Sequence, residues 1–323
     1  MTAPVRVAVV GGGTSSEHDV SLASAAAAAG ALRGGRFDVV PLTIARDGRW
    51  CADGWPMGLG AALELLGGCD VVLPMVHGRG GEDGTLAALC ESAGVRYVGS
   101  GIGAGALAMD KWATKLVAAS LGLGVAAGVL LTDPDAGGQA LAPPVVVKPV
   151  SAGSSHGVTL VRRGADLGAA IRAAFELDDR VLVEELVVGR EIDVAVLGRP
   201  GGVRVVAPAL EIVCDGVFDA RAKYGGQADF RVPAALDAAA LQCLEDAAVR
   251  VYDTLGCRGV ARVDFFLTAD GPVLNEVNTT PGFTPASQVP RMFAAAGIGY
   301  RDLLEMLVDD ALEPAGPAAL PLA

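Results

Sequence analysis

Four polar residues near the C-terminal end of the chain have the types and spacing of a metal site. Arg262 and Asp264 lie two residues apart in one apolar segment, as do Glu276 and Asn278 in the next. Because side chains alternate along a strand, pairing of the two strands would bring all four onto one face. Oxygen ligands suit Mg²⁺, which completes its shell with water and nucleotide phosphates. A salt-bridge ladder would explain only Arg262 and Glu276, so we favour the metal site.

A second candidate site begins at Lys148, which ends an apolar segment and precedes the glycine- and serine-rich stretch 149–157. A lysine at the end of a buried strand needs an anionic partner, and the N–H and hydroxyl groups of such a loop can close over phosphates. The glycines follow the lysine, whereas in a Walker A loop they precede it. The alternative is an exposed turn after an edge strand.

A third candidate is the segment 11–17, in which three glycines lead through Thr-Ser-Ser to Glu17. It lies between an apolar segment and an alanine-rich helical one, where free N–H groups and the helix dipole favour an anionic group. Ser16 breaks the glycine spacing of the dinucleotide fingerprint, which disfavours a nicotinamide cofactor. A tight turn explains the glycines, and Glu17 alone could be only a partner of the helix dipole.

Composition limits the class of protein. The chain has 323 residues, 52% of them apolar and 19% charged, which predicts an ordered protein of two or three lobes with ligand clefts between them. Its net charge of −12 disfavours nucleic acid as a partner. The six scattered cysteines and the start of the chain predict a reducing, cytoplasmic location without export. The uncharged segment 116–132 is broken by glycines, so we expect a helix and a strand there and no membrane span.

Apolar periodicity predicts an open α/β domain with a parallel sheet in the first hundred residues and mixed α+β lobes after it. The expected helices are 20–32, 85–92, 110–121, 236–255 and 300–307. The expected strands are 5–10, 37–44, 71–76, 95–98, 125–131, 145–150, 181–184, 192–197, 203–207, 261–267 and 273–277.

Seven motifs in this order resemble the D-alanine–D-alanine ligase family of the ATP-grasp superfamily. They are GGGTSSEHDVS, HGRGGEDGTLAALCESAGVRYVGSG, MDKWATK, KPVSAGSSHGV, EELVVGREI, AKY, and GVARVDFFL followed by NEVNTTPGFTPASQVP. They extend from residue 11 to about residue 307. The resemblance implies three lobes, 1–104, 105–184 and 185–323, with ATP held between the second and the third.

The resemblance also implies roles for individual residues. The nucleotide-binding ones are Lys111 and Lys148 at the phosphates, Glu184 and the backbone near Leu186 at the adenine, Glu191 at the ribose, and also Ser154 and Lys223. Asp264, Glu276 and Asn278 would hold two Mg²⁺ ions, for which Mn²⁺ could substitute. The substrate-binding ones are Glu17 and Ser154 at the first amino acid's ammonium, Tyr224 on a mobile loop beside them, Arg262 and the N–H of Gly282 at the oxyanion, and Ser287 at the second carboxylate.

The implied activity is ATP-dependent joining of two D-alanine molecules through an acyl-phosphate, for peptidoglycan precursors and hence the cell wall and cell shape, by a homodimer. Four departures from the family's pattern, Ala152, Leu186, Arg221 and Gln288, leave the second amino acid open. One alternative is therefore a ligase or cyclase acting on D-serine or a D-alanine analogue in secondary metabolism. The other is an inactive nucleotide-binding module. Tyr224 argues against the depsipeptide-forming relatives.

Overall fold

The computed structural model describes residues 3–136, 141–213 and 229–313. Within these ranges the chain folds into three β-sheets, each carrying helices, so the mixed α/β and α+β class is confirmed. None of the helices in these ranges combines the length and the apolar character needed to cross a membrane.

The N-terminal sheet is mostly parallel. Its strands are β1 (Val5–Gly12), β2 (Phe37–Ile44), β3 (Trp50–Ala52), β4 (Trp55–Met57), β5 (Val71–Pro74) and β6 (Arg96–Tyr97). β2 and β5 flank β1 in parallel and β6 continues beyond β5, as the apolar segments predict. β3 and β4 add an antiparallel edge that the pattern does not predict, because each is only three residues long.

Three helices pack on the N-terminal sheet: α1 (His18–Leu32), α2 (Leu59–Gly67) and α3 (Thr85–Ser92). α1 begins two residues before its predicted start, and α3 has its predicted bounds. The three glycines at the end of β1 lie close to neighbouring atoms, so a Cβ on any of them would clash. At Gly12, which has a φ of 86°, an added Cβ would clash with the carbonyl oxygen of Ile44.

The central sheet is small and antiparallel. It consists of β8 (Gly128–Leu131), β9 (Val145–Pro149), β10 (Thr159–Val161) and β11 (Val181–Glu185), with α6 (Gly164–Phe175) packed against it. β9 lies between β10 and β11. Lys148 is therefore on an inner strand, and the alternative of a turn after an edge strand is wrong.

The prediction of one continuous strand over 125–131 is also wrong. β7 (Gly124–Val125) pairs with a strand of the C-terminal sheet, whereas β8 pairs with β11 of the central sheet. Glu185 fixes the crossing between them, because its Oε1 accepts from the N–H of Ala127 at 3.0 Å and its own N–H donates to the Ala127 carbonyl at 2.9 Å. Apolar periodicity alone cannot show such a change of sheet.

The C-terminal sheet positions most of the candidate site. It contains β12 (Arg190–Gly198), β13 (Arg204–Val206), β14 (Leu210–Val213), β15 (Asp229–Arg231), β16 (Gly259–Thr268) and β17 (Gly271–Asn278), with β7 beside β17. One face packs on α4 (Ile102–Met109), α5 (Lys111–Ser120) and α7 (Ala238–Leu255). The other packs on α8 (Gln288–Ala295) and α9 (Tyr300–Leu312), whose apolar residues also reach the N-terminal sheet. The C-terminal sheet therefore packs against the N-terminal sheet through α8 and α9.

Candidate active site

The hairpin of β16 and β17 brings the first candidate residues together. Arg262 lies opposite Asn278, and Asp264 lies opposite Glu276, so all four side chains share one face. Asn278 Nδ2 donates to Asp264 Oδ2 at 3.0 Å. A bulge follows Asp264, where Asn275 is the extra residue, and bulges re-aim side chains at functional sites. The predicted convergence is present; the metal-binding role stays a prediction.

Two lysines from distant segments reach the same hairpin. Lys111 Nζ lies 3.2 Å from Glu276 Oε2 and donates to the carbonyl of Ala152, in the glycine-serine loop, at 2.8 Å. Lys148 Nζ donates to Asn275 Oδ1 at 3.4 Å. Both lysines are buried. Cations with carboxylates on one side and an open cavity on the other are suited to bind an anionic ligand there.

Glu184 links Lys148 to a third lysine, Lys115, that the sequence analysis does not assign. Its Oε2 lies 2.7 Å from Lys148 Nζ and its Oε1 lies 3.0 Å from Lys115 Nζ. Burial alone would raise the pKa of Glu184, but the two lysines hold it below its ordinary value. Burial, reinforced by repulsion from Lys148, lowers the pKa of Lys115 to about 8. Lys115 lies one helical turn after Lys111, a spacing that could have identified it.

A cavity of about 460 Å³ lies between the central and C-terminal sheets. Of the groups described so far, all except Asn278 line it: Lys111, Lys115, Lys148, Ala152, Glu184, Arg262, Asp264, Asn275 and Glu276. Besides the residues already described, Leu186 and Glu191 line it, as the nucleotide prediction requires. Its size is in the ordinary range for a small-molecule site. Glu17, Ser154, Gly282 and Ser287 are not part of this lining.

The glycine-serine loop contacts the N-terminal sheet at Glu17. The Ser154 hydroxyl donates to Glu17 Oε1, in a very short hydrogen bond. A Cβ on Gly153 would clash with the same carboxylate, so the loop approaches Glu17 through a residue without a side chain. Ser154 and Ser155 have φ values of 51° and 55°, a costly conformation that is common at ligand-binding loops. Glu17 and Ser154, both predicted to bind the ammonium of the first amino acid, therefore lie side by side, and that role stays a prediction.

Gly282 and Ser287 lie next to each other after β17. A Cβ added to Gly282 would be 3.4 Å from Ser287 Oγ. The Oγ of Ser287 accepts a hydrogen bond from the N–H of Thr284 at 3.0 Å. Ser287 is also the N-cap residue of α8. An anion at this point would meet a helix N-terminus, which suits the predicted carboxylate-binding role.

Arg262 is buried and strongly held. Its Nε and Nη2 each donate to Asp264 at 2.7 Å, and its Nη1 donates to Gln288 Oε1 at 2.7 Å. Asp193 Oδ2 lies 3.4 Å from Nε. Burial would lower the pKa of Arg262, but Asp264 and Asp193 raise it well above its ordinary value, so the guanidinium stays charged.

Glu82 is a further buried carboxyl that the sequence analysis does not single out, although it lies in the quoted HGRGGEDG motif. Its Oε2 accepts from the N–H of Gly78 at 3.1 Å and its Oε1 from the N–H of Thr280 at 3.0 Å. Burial, with repulsion from Glu17, raises its pKa to about 8. Glu82 therefore fixes the segment that leads from β17 to Gly282.

His77 has a packing role. Its Nδ1 is 2.7 Å from the Thr280 carbonyl and its Nε2 is 2.8 Å from Ser24 Oγ, so it ties α1 to the end of β17. The predictions for Arg221, Lys223 and Tyr224 fall outside the residues that the structure describes.

Solved structures define the class of protein. The fold is similar to the VanG D-Ala:D-Ser ligase from Enterococcus faecalis, with a TM-score of 0.82, 34% identity, and coverage of 95% of this chain and 99% of that chain. It is also similar to the D-alanine–D-alanine ligase from Bacillus anthracis complexed with ATP, with a TM-score of 0.80, 29% identity, and coverage of 95% and 97%. With the lysines and carboxylates around one cavity, this fold is that of an ATP-grasp ligase.

Sequence relatives narrow the class to one family. Residues 134–309 match the D-ala D-ala ligase C-terminus, and residues 6–59 and 56–100 match the D-ala D-ala ligase N-terminus. The D-alanine–D-alanine ligase of Nocardia farcinica is 42% identical, over 97% of this chain and 98% of that protein. The chain belongs to the D-alanine–D-alanine ligase family.

Proposed function

We propose that this chain joins two D-alanine molecules into D-alanyl-D-alanine, with conversion of ATP to ADP and phosphate, for peptidoglycan precursors. The observation that carries the proposal is the convergence of Lys111 and Lys148 on the hairpin that holds Asp264 and Glu276. The relatives named above, with D-alanine ligase activity in their names, support the choice of substrates.

ATP is proposed to lie in the cavity between the central and C-terminal sheets. Lys111 and Lys148 bind its phosphates, Glu191 binds the ribose, and Lys223 also belongs to the nucleotide site. Glu184 and the backbone near Leu186 lie at the adenine. Both carboxylate oxygens of Glu184 pair with lysines, so we infer that Glu184 orders Lys148 and contributes to adenine binding mainly through its backbone. The B. anthracis relative was solved with ATP.

The donor set of the hairpin fits Mg²⁺. Asp264, Glu276 and Asn278 supply two carboxylates and one amide, all hard oxygen ligands. No group of three or more His, Cys, Asp and Glu side chains within the described ranges could hold a metal by itself. Nucleotide phosphates and water would therefore complete the shells of the two proposed ions. When bound, the metal would neutralise charge on the phosphates during phosphoryl transfer.

Binding of the first D-alanine places its ammonium against Glu17, which Ser154 holds in position. A buried ammonium needs a charged partner, and Glu17 supplies one. Tyr224 is proposed to close over this site from its loop. The carboxylate of the first D-alanine points towards Lys148 and the phosphates of ATP. Phosphoryl transfer to that carboxylate requires this arrangement.

The reaction proceeds in two steps. A carboxylate oxygen of the first D-alanine attacks the γ-phosphorus of ATP, and the bond to the bridging oxygen of ADP breaks. Lys148 neutralises charge on the transferring group. The second D-alanine, held by its carboxylate at Ser287, binds as the free amine after its ammonium proton has passed to solvent, and attacks the acyl carbon. As the C–N bond forms, the acyl C–O bond to phosphate breaks, and the second amine proton leaves with the phosphate. Arg262 and the N–H of Gly282 stabilise the oxyanion until inorganic phosphate leaves.

Acyl-phosphates hydrolyse readily, so the site must keep bulk water out. The glycine-serine loop already touches Glu17 through Ser154 and Lys111 through the Ala152 carbonyl. This loop therefore forms a cover over the point where the acyl-phosphate would be made, and closure of such covers is a common means of excluding water.

The test is product analysis with ATP, Mg²⁺ and mixed D- and L-amino acids. Mass spectrometry should show D-alanyl-D-alanine as the main dipeptide, with one phosphate released per dipeptide. A dominant L,L product, or phosphate release without dipeptide, would contradict the proposal. ATP binding with no phosphate release for any amino acid would instead support the inactive module.

D-serine is the second candidate for the second substrate. Gln288 follows Ser287 and differs from the apolar residue common in the family, and the VanG relative is named a D-Ala:D-Ser ligase. A D-alanyl-D-serine product in the same assay, formed with a higher kcat/KM than D-alanyl-D-alanine, would favour this candidate.

We also propose that the chain is a cytoplasmic homodimer, as the family resemblance implies. Sedimentation equilibrium should give twice the mass of the 32.5 kDa chain. A concentration-independent single-chain mass would contradict the dimer without affecting the catalytic proposal.

A further inference from the structure

Gln288 connects two buried charges behind the oxyanion site. Its Oε1 accepts from Arg262 Nη1 at 2.7 Å, and its Nε2 donates to Asp193 Oδ2 at 2.7 Å. All three residues are buried, and Asp193 is fully so. The amide group is therefore oriented with its oxygen towards a cation and its nitrogen towards an anion, an arrangement that no apolar side chain could provide.

The strands place Asp193 for this contact. Asp193 on β12 lies directly opposite Asp264 on β16, in the row that Glu276 continues on β17. The two aspartates thus flank the guanidinium of Arg262. Gln288 reaches the same point from the first residue of α8, which begins directly after Ser287.

Arg262 has five N–H donors. Among the described residues, Asp264 takes two of them and Gln288 takes one, which leaves two for a substrate oxygen. Asp264 is also a proposed metal ligand. Gln288 and Asp193 therefore give Arg262 a second anchor that is not shared with the metal.

We propose that Gln288, oriented by Asp193, is a positioning residue that holds the Arg262 guanidinium in line with the developing oxyanion. The inference rests on the proposed function, in which Arg262 stabilises the tetrahedral intermediate. Gln288 acts through Arg262 and touches no reacting atom. Loss of its amide frees Nη1 and leaves the Asp193 carboxylate buried without this donor, so the guanidinium shifts from its aligned position.

The test compares Gln288→Met with the double exchange Asp193→Asn and Gln288→Glu. The methionine is similar in length to glutamine but forms neither hydrogen bond, so kcat should fall about ten- to hundredfold while the KM for ATP stays within about twofold. The double exchange keeps the net charge and both contacts, with the direction of one hydrogen bond reversed. It should recover most of the lost kcat.

Gln242→Met is the matched control, because Gln242 also donates to an aspartate, Asp246, but on the exposed face of α7. Its kcat should equal that of the wild type. If Gln288→Met folds poorly, the double variant Asp193→Asn, Gln288→Glu tests the inference by itself. A double variant that folds but has a low kcat overturns the inference, and one with a kcat close to that of the wild type supports it. A wild type that forms no dipeptide would refute the proposed function, whereas an active wild type with an unimpaired Gln288→Met variant would refute only this inference.

Discussion

Ser154 and Glu17 form a hydrogen bond although 137 residues separate them in the sequence. The contact joins the glycine-serine loop of the central sheet to the start of α1 beside the N-terminal sheet. The same loop also contacts Lys111 through the carbonyl of Ala152, so it links the Glu17 carboxylate to the group of lysines. The proposed amino-acid site therefore draws its two ammonium-binding residues from different parts of the molecule.

Replacement of Ser154 by alanine should weaken binding of the first D-alanine. Glu17 keeps its charge but loses the hydroxyl that orients it, and a hydrogen bond to a charged group contributes about 1.5–3 kcal/mol. At saturating ATP, we expect the KM for the first D-alanine to rise about tenfold or more. Ser92→Ala is the control, since Ser92 bonds to its own helix on the exposed side of α3. Equal KM values for the two variants would show that Ser154 does not orient Glu17.

Asp264→Asn should raise the Mg²⁺ requirement. The substitution removes one charge from the proposed ligand set and weakens the bidentate pair with Arg262. We expect the Mg²⁺ concentration for half-maximal phosphate release to rise about 10- to 100-fold. Electron paramagnetic resonance of Mn²⁺ with ADP, in the absence of amino acid, separates metal binding from the role of Arg262. Asp270→Asn, at the exposed turn of the same hairpin, should bind Mn²⁺ like the wild type. Unchanged Mn²⁺ binding in Asp264→Asn would remove Asp264 from the metal site.

The parts of the fold that the sequence predicts well are those with regular apolar periodicity. β2 and α3 have the predicted bounds, and β16 and β17 present the predicted polar pairs. Alternation along a strand is a local property, so the common face of Arg262 and Asp264, and that of Glu276 and Asn278, could be inferred before the strand pairing was known. The roles assigned by resemblance to the family cannot be derived from this periodicity and remain predictions.

The features that the sequence does not predict depend on contacts between distant segments. Nothing near Lys115 indicates that it shares Glu184 with Lys148, because the three lie on α5, β11 and β9. The bulge that turns Asn275 towards Lys148 likewise follows from pairing with β16. The hydrogen bonds of Gln288 to Arg262 and Asp193 also appear only in the folded chain. From the sequence, Gln288 could be identified as a departure from the family's residue pattern, but no function could be assigned to it.

ATP binding should weaken above about pH 8 through Lys115. Burial and Lys148 lower the pKa of Lys115 to about 8, while Glu184 and Glu276 oppose the shift. Below that pH Lys115 is charged and pairs with Glu184. Above it the lysine is neutral, so ATP must bind together with a proton. Titration calorimetry in the absence of amino acid should show that the affinity for ATP falls between pH 8 and about 9.5, by at most tenfold per pH unit.

Two substitutions separate this explanation from a general effect of pH. The arginine of Lys115→Arg remains charged at every pH tested, so the ATP affinity of this variant should not fall above pH 8. Lys115→Met should bind ATP weakly at every pH, with a flat profile. Parallel profiles for wild type and both variants would show that another group titrates.

Glu82→Gln should change how stability depends on pH. Two N–H donors, from Gly78 and Thr280, favour the ionised carboxylate, whereas burial and Glu17 favour the neutral acid. Burial has the larger effect and raises the pKa from 4.5 to about 8. A carboxyl whose pKa is raised on folding stabilises the protein at low pH, and this contribution is lost as the pH rises from about 4.5 to about 8. The glutamine mimics the neutral acid and does not titrate.

The Tm of the wild type should therefore fall relative to that of Glu82→Gln as the pH rises from 5 to 8. Thermal unfolding at half-unit pH steps would measure the difference. Glu64→Gln, an exposed glutamate on α2, should show no such trend. If the two curves for wild type and Glu82→Gln run parallel, the two N–H donors outweigh burial and keep Glu82 ionised. In that case Glu82 holds the segment before Gly282 as a permanent anion, and the second negative charge beside Glu17 would strengthen binding of the substrate ammonium at all pH values.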